Sequence, residues 1–236
     1  MKKSKFPRSA ASLTFLVIFI IYTFGSQMIL AAEKKSADEP IVLITYDNMT
    51  GEGFINEGTL GGTIPSSEAY TVSSEIAPSG KESQSLKVLG WRETKRSTFE
   101  VPPLSAGTIH FWLKPGALDE YYKNIVDIGQ KSFSVYSLRS GILVRVGNEE
   151  YFTDNHLTED EWIHFAFVFD TATNLGEIFI NGEPTIETTS VDFKGGLMAI
   201  SATLDIAAAA FNGNIGAITI LNRALSKEEV APLSHH

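Results

Sequence analysis

Residues 162–184 read WIHFAFVFDTATNLGEIFINGEP. Two apolar runs flank a polar break between Asp170 and Gly176 that is rich in Thr and Asn. Asn181-Gly182 ends the second run. Both central residues of a type I′ turn need positive φ, and Asn and Gly reach it at little steric cost. The order is therefore strand, loop, strand, tight turn, returning strand, which is antiparallel β-structure. In the first run Ile163, Phe165, Phe167 and Phe169 alternate with Trp162, His164, Ala166 and Val168. Side chains of a strand alternate between faces. Both sets are largely apolar, so this strand is expected at the centre of a sheet, covered on both sides.

The same grammar runs outward in both directions. Thr108–Lys114 alternates Ile109, Phe111 and Leu113 against His110, Trp112 and Lys114, and Pro115-Gly116 closes it. Asn124–Ile128, Ser132–Leu138 and Ile142–Val146 read as a meander turning at Gly129 and Gly141, with a further short strand at Tyr151-Phe152. Ile41–Tyr46, Ser85–Leu89 and Ser97–Val101 are strands upstream. Pro102-Pro103 stops the last of these, because proline donates no ladder hydrogen bond. Residues 47–84, rich in Gly, Ser, Thr and Asn, read as surface loops with one or two short strands. Met198–Ser201, Leu204–Ala209 and Asn214–Leu221 are strands downstream. Ser226 followed by Glu229 is a capping box, which puts one short helix within Arg223–Val230 and ends it before Pro232. Many short strands with regular turns and one short C-terminal helix predict an all-β fold, a two-sheet antiparallel β-sandwich. The expected domain is 41–232, with 33–40 a flexible leader and 233–236 a tail.

The N-terminus has a different composition. Lys2, Lys3, Lys5 and Arg8 precede 23 uncharged residues, Ala10 to Ala32, whose centre is LTFLVIFIIYTF and whose end is Ala31-Ala32. That layout makes 1–32 a secretory signal peptide or, if uncut, an N-terminal membrane anchor. Either way the rest of the chain is expected outside the cytoplasm: periplasmic, secreted or at the cell surface. The sequence has no cysteine, which excludes disulfides, thiol catalysis and Cys-ligated zinc. Beyond residue 32 stand 15 basic against 28 acidic residues, a net charge of −13. Such a surface argues against nucleic acid and anionic lipid as partners. A membrane enters only through an uncut anchor.

Five pieces of the chain carry a resemblance. IVLITYDN (41–48) ends a first strand in an aromatic and Asp. SQSLKVLG (83–90), TIHFWLKP (108–115), the 162–182 stretch and FNGNIGAITILNRALSKEEV (211–230) follow in order. Together they resemble the laminin-G-like jelly roll of the concanavalin A-like lectin/glucanase superfamily, in a bacterial exported form. The resemblance implies a calcium ion at the sandwich edge held by Asp47. The acidic pair that would complete its shell is replaced by Gly216 and Ala217. Glucanases of the superfamily would carry an E-x-D-x-x-E strand, which does not occur here. Glu159-Asp160-Glu161 reads as a solvated turn.

No catalytic residue is therefore expected. The expected function is a non-catalytic binding module for a glycan or, in the adhesion sense, a cell-surface protein. The alternatives are a structural or protein-interaction domain and a glycoside hydrolase or lyase with a site not recognised in the sequence. Sugar sites pair exposed aromatic faces with hydroxyl-bonding polar groups. Two loop groups qualify: Trp91 with Arg92, and Tyr151, Phe152, Asp154 and Asn155. Tyr121-Tyr122 is a third. Apart from calcium no cofactor is implied.

Overall fold

The structure is a computed structural model of the chain and describes residues 38–78, 84–89, 96–129, 132–201 and 209–235. Its strands belong to the unit Glu39–His236. In chain order they are β1 (Val42–Ile44), β2 (Met49–Thr50), β3 (Gly53–Ile55), β4 (Thr63–Pro65), β5 (Tyr70–Ile76), β6 (Gln84–Leu89), β7 (Arg96–Val101), β8 (Ala106–Pro115) and β9 (Lys123–Ile128). There follow β10 (Phe133–Leu138), β11 (Gly141–Val146), β12 (Glu149–Thr153), β13 (Ile163–Asp170), β14 (Leu175–Ile180), β15 (Glu183–Thr188), β16 (Gly196–Ile200), β17 (Ala209–Ala210) and β18 (Asn212–Leu221). A helix α1 (Lys227–Val230) and a 3-10 turn (Ala231–Ser234) end the chain.

The first sheet runs β15-β14-β13-β8-β18-β6-β5, with β1 also paired to β18. The second runs β12-β11-β10-β9-β16-β7, with β17 beside β9. All pairings in the two sheets are antiparallel except β17 with β9. The expected all-β sandwich with one short C-terminal helix is the observed architecture.

The alternation in 162–170 explains how the sheets meet. Ile163, Phe165, Phe167 and Phe169 join the core between them, together with Val126, Ile128, Phe133, Val135 and Val144 of the second sheet. Phe133 stacks on Phe167 at 5.4 Å, Phe167 on Phe169 at 5.4 Å, and Phe169 on Phe193 at 4.9 Å. Each such ring stabilises the fold by about 1.5–3 kcal/mol through burial, plus about 0.5–1.5 kcal/mol per favourable ring pair. The other face of β13 is covered too. Ala166, Val168 and Phe179 pack with Leu221, Leu225, Val230 and Leu233 from the C-terminal segment. In that segment the Ser226 N–H donates to Glu229 Oε2 at 2.9 Å, as the capping box requires. Lys227 Nζ meets Glu177 Oε1 at 2.8 Å and ties the helix to β14. The hairpin turn between β14 and β15 has Asn181 at φ 52° and Gly182 at φ 80°, the left-handed pair the sequence demands.

Two expectations change. Residues 47–84 hold four described strands rather than one or two: β2, β3 and β4 form a small sheet of their own, and β5 is an outer strand of the first sheet. β5 reads YTVSSEI and is half-exposed for most of its length, so no apolar run marks it. The expected strand at Leu204–Ala209 lies, apart from its last residue, outside the described residues.

Tyr46 closes the core at the end of β1. It is 1% exposed, sits at φ 65°, and packs edge-on to Phe54 at 5.3 Å. Its hydroxyl has no hydrogen-bond partner. Burial, and secondarily the charge of Tyr70, push the phenol well above its ordinary pKa. An unsatisfied buried hydroxyl costs about 1–3 kcal/mol. Tyr46→Phe, which keeps the ring, should therefore raise the urea midpoint by an amount equivalent to about 1 kcal/mol. A midpoint that falls would show that the hydroxyl is satisfied in solution.

Candidate functional site

Three loops meet at one end of the second sheet. The first is 116–122, leading into β9. The second is the β10–β11 turn, 138–141. The third is 154–162, after β12. Backbone bonds hold them in register: Arg139 N–H donates to Asp119 O at 2.8 Å, and His156 N–H donates to Ser140 O at 2.8 Å. Asp160 N–H reaches Pro115 O at 2.8 Å. The Ser140 hydroxyl donates to Asn155 Oδ1 at 3.2 Å, and Leu118 N–H donates to Glu159 Oε1 at 2.9 Å. Arg139 and Asn155 adopt φ 52° and 56°, which turns the chain back at both tips.

Aromatic side chains gather around this junction. Phe152 of β12 stands opposite Leu143, which stands opposite Tyr136, so the three share the outward face of the second sheet. The Tyr122 ring meets the Tyr136 ring edge-on at 6.2 Å. Phe152 lies directly over Gly141: a Cβ there would fall 2.5 Å from its ring, so glycine is what admits the ring to this position. Among the described residues the exposed aromatics are Tyr121 (71%), Tyr122 (42%) and Phe152 (40%), and all three belong to this end of the sheet. Tyr136 is the buried floor beneath them. Arg145 lies over its ring at 5.5 Å and also pairs with Glu150.

The electrostatics of the junction are lopsided. Asp119 pairs with Lys123 at 2.8 Å. Burial pushes its carboxyl up, but hydrogen bonds from Lys123 and the Tyr121 N–H, with the Lys123 charge, outweigh this and hold it below its ordinary value. It is therefore ionised at neutral pH. Glu120, Asp154, Glu159, Asp160 and Glu161 are exposed, and Arg139 is an exposed cation.

The predicted residues divide between places. Phe152, Asp154 and Asn155 belong to the junction. Tyr151 does not face the same way as Phe152: strand alternation turns it inward, where it packs half-buried against the core. Trp91 and Arg92 lie outside the described residues. Tyr121 and Tyr122 prove to be neighbours of the Phe152 group, joined to it through the β10–β11 turn. Tyr136, Arg139, Ser140 and Arg145 were not singled out in the sequence. The signal that could have found them is the turn at Gly141, which brings its own flanks beside both loops.

Asp47 is exposed, and its Oδ1 accepts the Gln84 N–H at 3.0 Å. Among the described residues no group of three or more His, Asp or Glu side chains is placed to hold a metal ion. At the position of the family's acidic residues, a Cβ on Gly216 would fall 2.7 Å from Ala77 Cβ and 3.0 Å from Trp112 Cβ. A carboxylate there would need the sheet to move. Calcium takes six to eight oxygens, and among the described residues Asp47, already engaged with a backbone N–H, is the one carboxylate of the expected set.

A separate concavity of about 230 Å³ opens on the first sheet, over Val168, Leu175 and Ala224, with Asp170, Glu177 and Glu187 among its lining. It offers no exposed ring for stacking.

A search of curated proteins finds no match to this chain. Solved structures do match, at low identity. One is a botulinum neurotoxin serotype D ligand-binding domain in complex with N-acetylneuraminic acid (TM-score 0.65, 11% identity, 85% of this chain and 52% of that one). A second is the receptor-binding domain of botulinum neurotoxin type G (TM-score 0.62, 13% identity, 83% of this chain and 50% of that one). A third is domain 4 of AbnA, a GH43 extracellular arabinanase from Geobacillus stearothermophilus, in complex with arabinotriose. Its TM-score is 0.58 at 15% identity, covering 84% of this chain and 98% of that one. The chain thus spans about half the length of the neurotoxin domains (52% and 50%) and nearly all of the arabinanase domain (98%). At these identities the likeness is one of fold. The sequence of residues 92–231 matches the Laminin_G_3 family model, and the chain therefore belongs to the concanavalin A-like lectin/glucanases superfamily.

Proposed function

We propose that the protein is a non-catalytic, exported glycan-binding module that holds saccharide on the rim formed by Tyr121, Tyr122 and Phe152. The observation that carries this reading is that, among the described residues, the exposed aromatics converge at one end of one sheet, beside polar groups such as Asn155. Aromatic faces cover the C–H faces of sugar rings, while neighbouring donors and acceptors bond the hydroxyls. Asn155 accepts from Ser140 through Oδ1, which leaves its amide N–H groups to donate outward. Arg139 and Asp154 flank it. The oligosaccharide bound to the arabinanase domain and the sialic acid bound to the neurotoxin domain support a sugar as the ligand class. The missing E-x-D-x-x-E strand supports a non-catalytic role, and the layout of residues 1–32 supports export.

Aromatic–aromatic contacts contribute about 0.5–1.5 kcal/mol each, and a ring on a sugar face is expected on the same scale. Tyr122→Ala and Phe152→Ala should therefore each weaken binding of a soluble oligosaccharide by roughly two- to tenfold by calorimetry. Thermal melting should change little for Tyr121→Ala, whose ring is mostly in solvent. A wild-type protein that binds no glycan at millimolar concentration would end this reading, as would full affinity in the double variant Tyr122→Ala, Phe152→Ala. Binding is also expected to be unchanged by EDTA. A loss of affinity restored by added calcium would show that an ion completes the site.

A further inference from the structure

Resting on the glycan reading, we infer that this rim selects uncharged saccharides and rejects acidic ones. The two fold relatives with bound sugars point in opposite directions, one holding a carboxylated sugar and the other a neutral trisaccharide. The charges around the rim decide between them. Its three loops carry Asp119, Glu120, Asp154, Glu159, Asp160 and Glu161. Against these six carboxylates stand Arg139 and, at the start of β9, Lys123, which is already paired with Asp119 at 2.8 Å. The local balance is −4, and the chain as a whole is also acidic, with a formal charge of −9.

Among the described cations of the rim, Lys123 is paired with Asp119 and Arg145 with Glu150, and Arg139 works the other way. It is exposed at the tip of the β10–β11 turn and could bond a sugar carboxylate. An exposed pair of that kind favours binding by at most about fivefold and is screened by salt. The surrounding carboxylates act together. A net charge of −4 at about 10 Å disfavours a monovalent anion by roughly five- to tenfold at 10 mM salt, where the Debye length is about 30 Å. At 150 mM salt the same effect shrinks to about twofold. Repulsion therefore prevails at low salt, and the sign of the salt dependence reports which term governs. A repelled ligand binds better as salt rises; a ligand anchored by Arg139 binds worse. Neutral sugars are indifferent to both terms, and their affinity rests on the rings.

The test is calorimetric titration of the full chain with arabinotriose and lactose as neutral probes, and with sialyllactose and trigalacturonate as acidic ones, at 10 and 150 mM salt. The expected result is salt-independent binding of at least one neutral probe. Sialyllactose should be weaker than lactose by roughly three- to tenfold at 10 mM, with the gap closing at 150 mM. The double variant Glu120→Gln, Glu161→Gln, at two exposed loop carboxylates, should narrow the gap at low salt without changing neutral binding. Sialyllactose binding more tightly than lactose, with an affinity that falls with salt and is lost in Arg139→Gln, would overturn the selectivity while leaving the glycan reading standing. If none of the four probes binds at either salt concentration, the glycan reading falls and the selectivity with it.

Discussion

Replacing Phe167 by alanine should cost the protein about 4 kcal/mol of stability. The ring is fully buried at the centre of the aromatic stack that joins the two sheets, in contact with Phe133 on one side and Phe169 on the other. Truncating a buried phenylalanine costs about 3–5 kcal/mol, because lost transfer energy adds to the cavity left behind. Here two ring–ring contacts are lost as well, and both partners sit in sheets that cannot collapse into the space. For a unit of this size the melting temperature should fall by roughly 8–16 °C. Phe167→Leu keeps most of the volume and should lose less than half as much. Urea unfolding of both variants checks this. A Phe167→Ala loss below 1 kcal/mol would mean that the core around β13 is not close-packed.

The second large effect is with pH. His110 lies on the outward face of β8, half-buried, with its Nδ1 3.3 Å from His164 Nε2. The indole of Trp112 lies 5.2 Å from the His164 ring. Burial pushes the His110 pKa down from 6.5 to about 4. The folded state therefore disfavours the protonated ring, while the unfolded chain protonates near 6.5. The sign follows: stability is full above pH 6.5, is lost progressively as pH falls from 6.5 to 4, and levels below 4. A shift of that size sets an upper limit near 3 kcal/mol, and partial exposure brings the expectation to about 2 kcal/mol. Urea midpoints at pH 7.5, 6, 5 and 4 should fall more steeply for the wild type than for His110→Gln. Parallel curves for the two proteins would show that His110 does not carry the dependence.

The sandwich was legible because its central strands announce themselves twice. Ile163 to Phe169 are apolar on one face and Trp162 to Val168 on the other, and only a strand covered on both sides reads that way. The meander of β9 to β11 was legible for the same reason, with Gly129 and Gly141 marking its turns. β5 was not, because a half-exposed outer strand needs few apolar residues and YTVSSEI has the composition of a loop. Pairing order was not legible either: no local pattern says that β8 lies between β13 and β18.

The site was legible only in pieces. Phe152, Asp154 and Asn155 were singled out by type, yet Tyr151 beside them turns inward, which alternation already foretold. Tyr122 meets Tyr136 across a hairpin, and Arg139 reaches Asp119 through a backbone bond. Neither contact leaves a trace in residue spacing. That position 216 carries glycine was visible in the sequence; why it does was not, and the reason is the close approach of Ala77 and Trp112.

The last strand has a consequence for the order of events in synthesis. β18 pairs with β8, β6 and β1, so the first sheet keeps a gap in its middle until residues 212–221 arrive. A chain whose first strand waits for its last has mostly distant contacts and folds slowly. The two apolar faces of β13 remain uncovered throughout that wait. A chain of this kind cannot complete its first sheet before residues 212–221 are made. Until then it most needs a holding partner to keep those faces from aggregating.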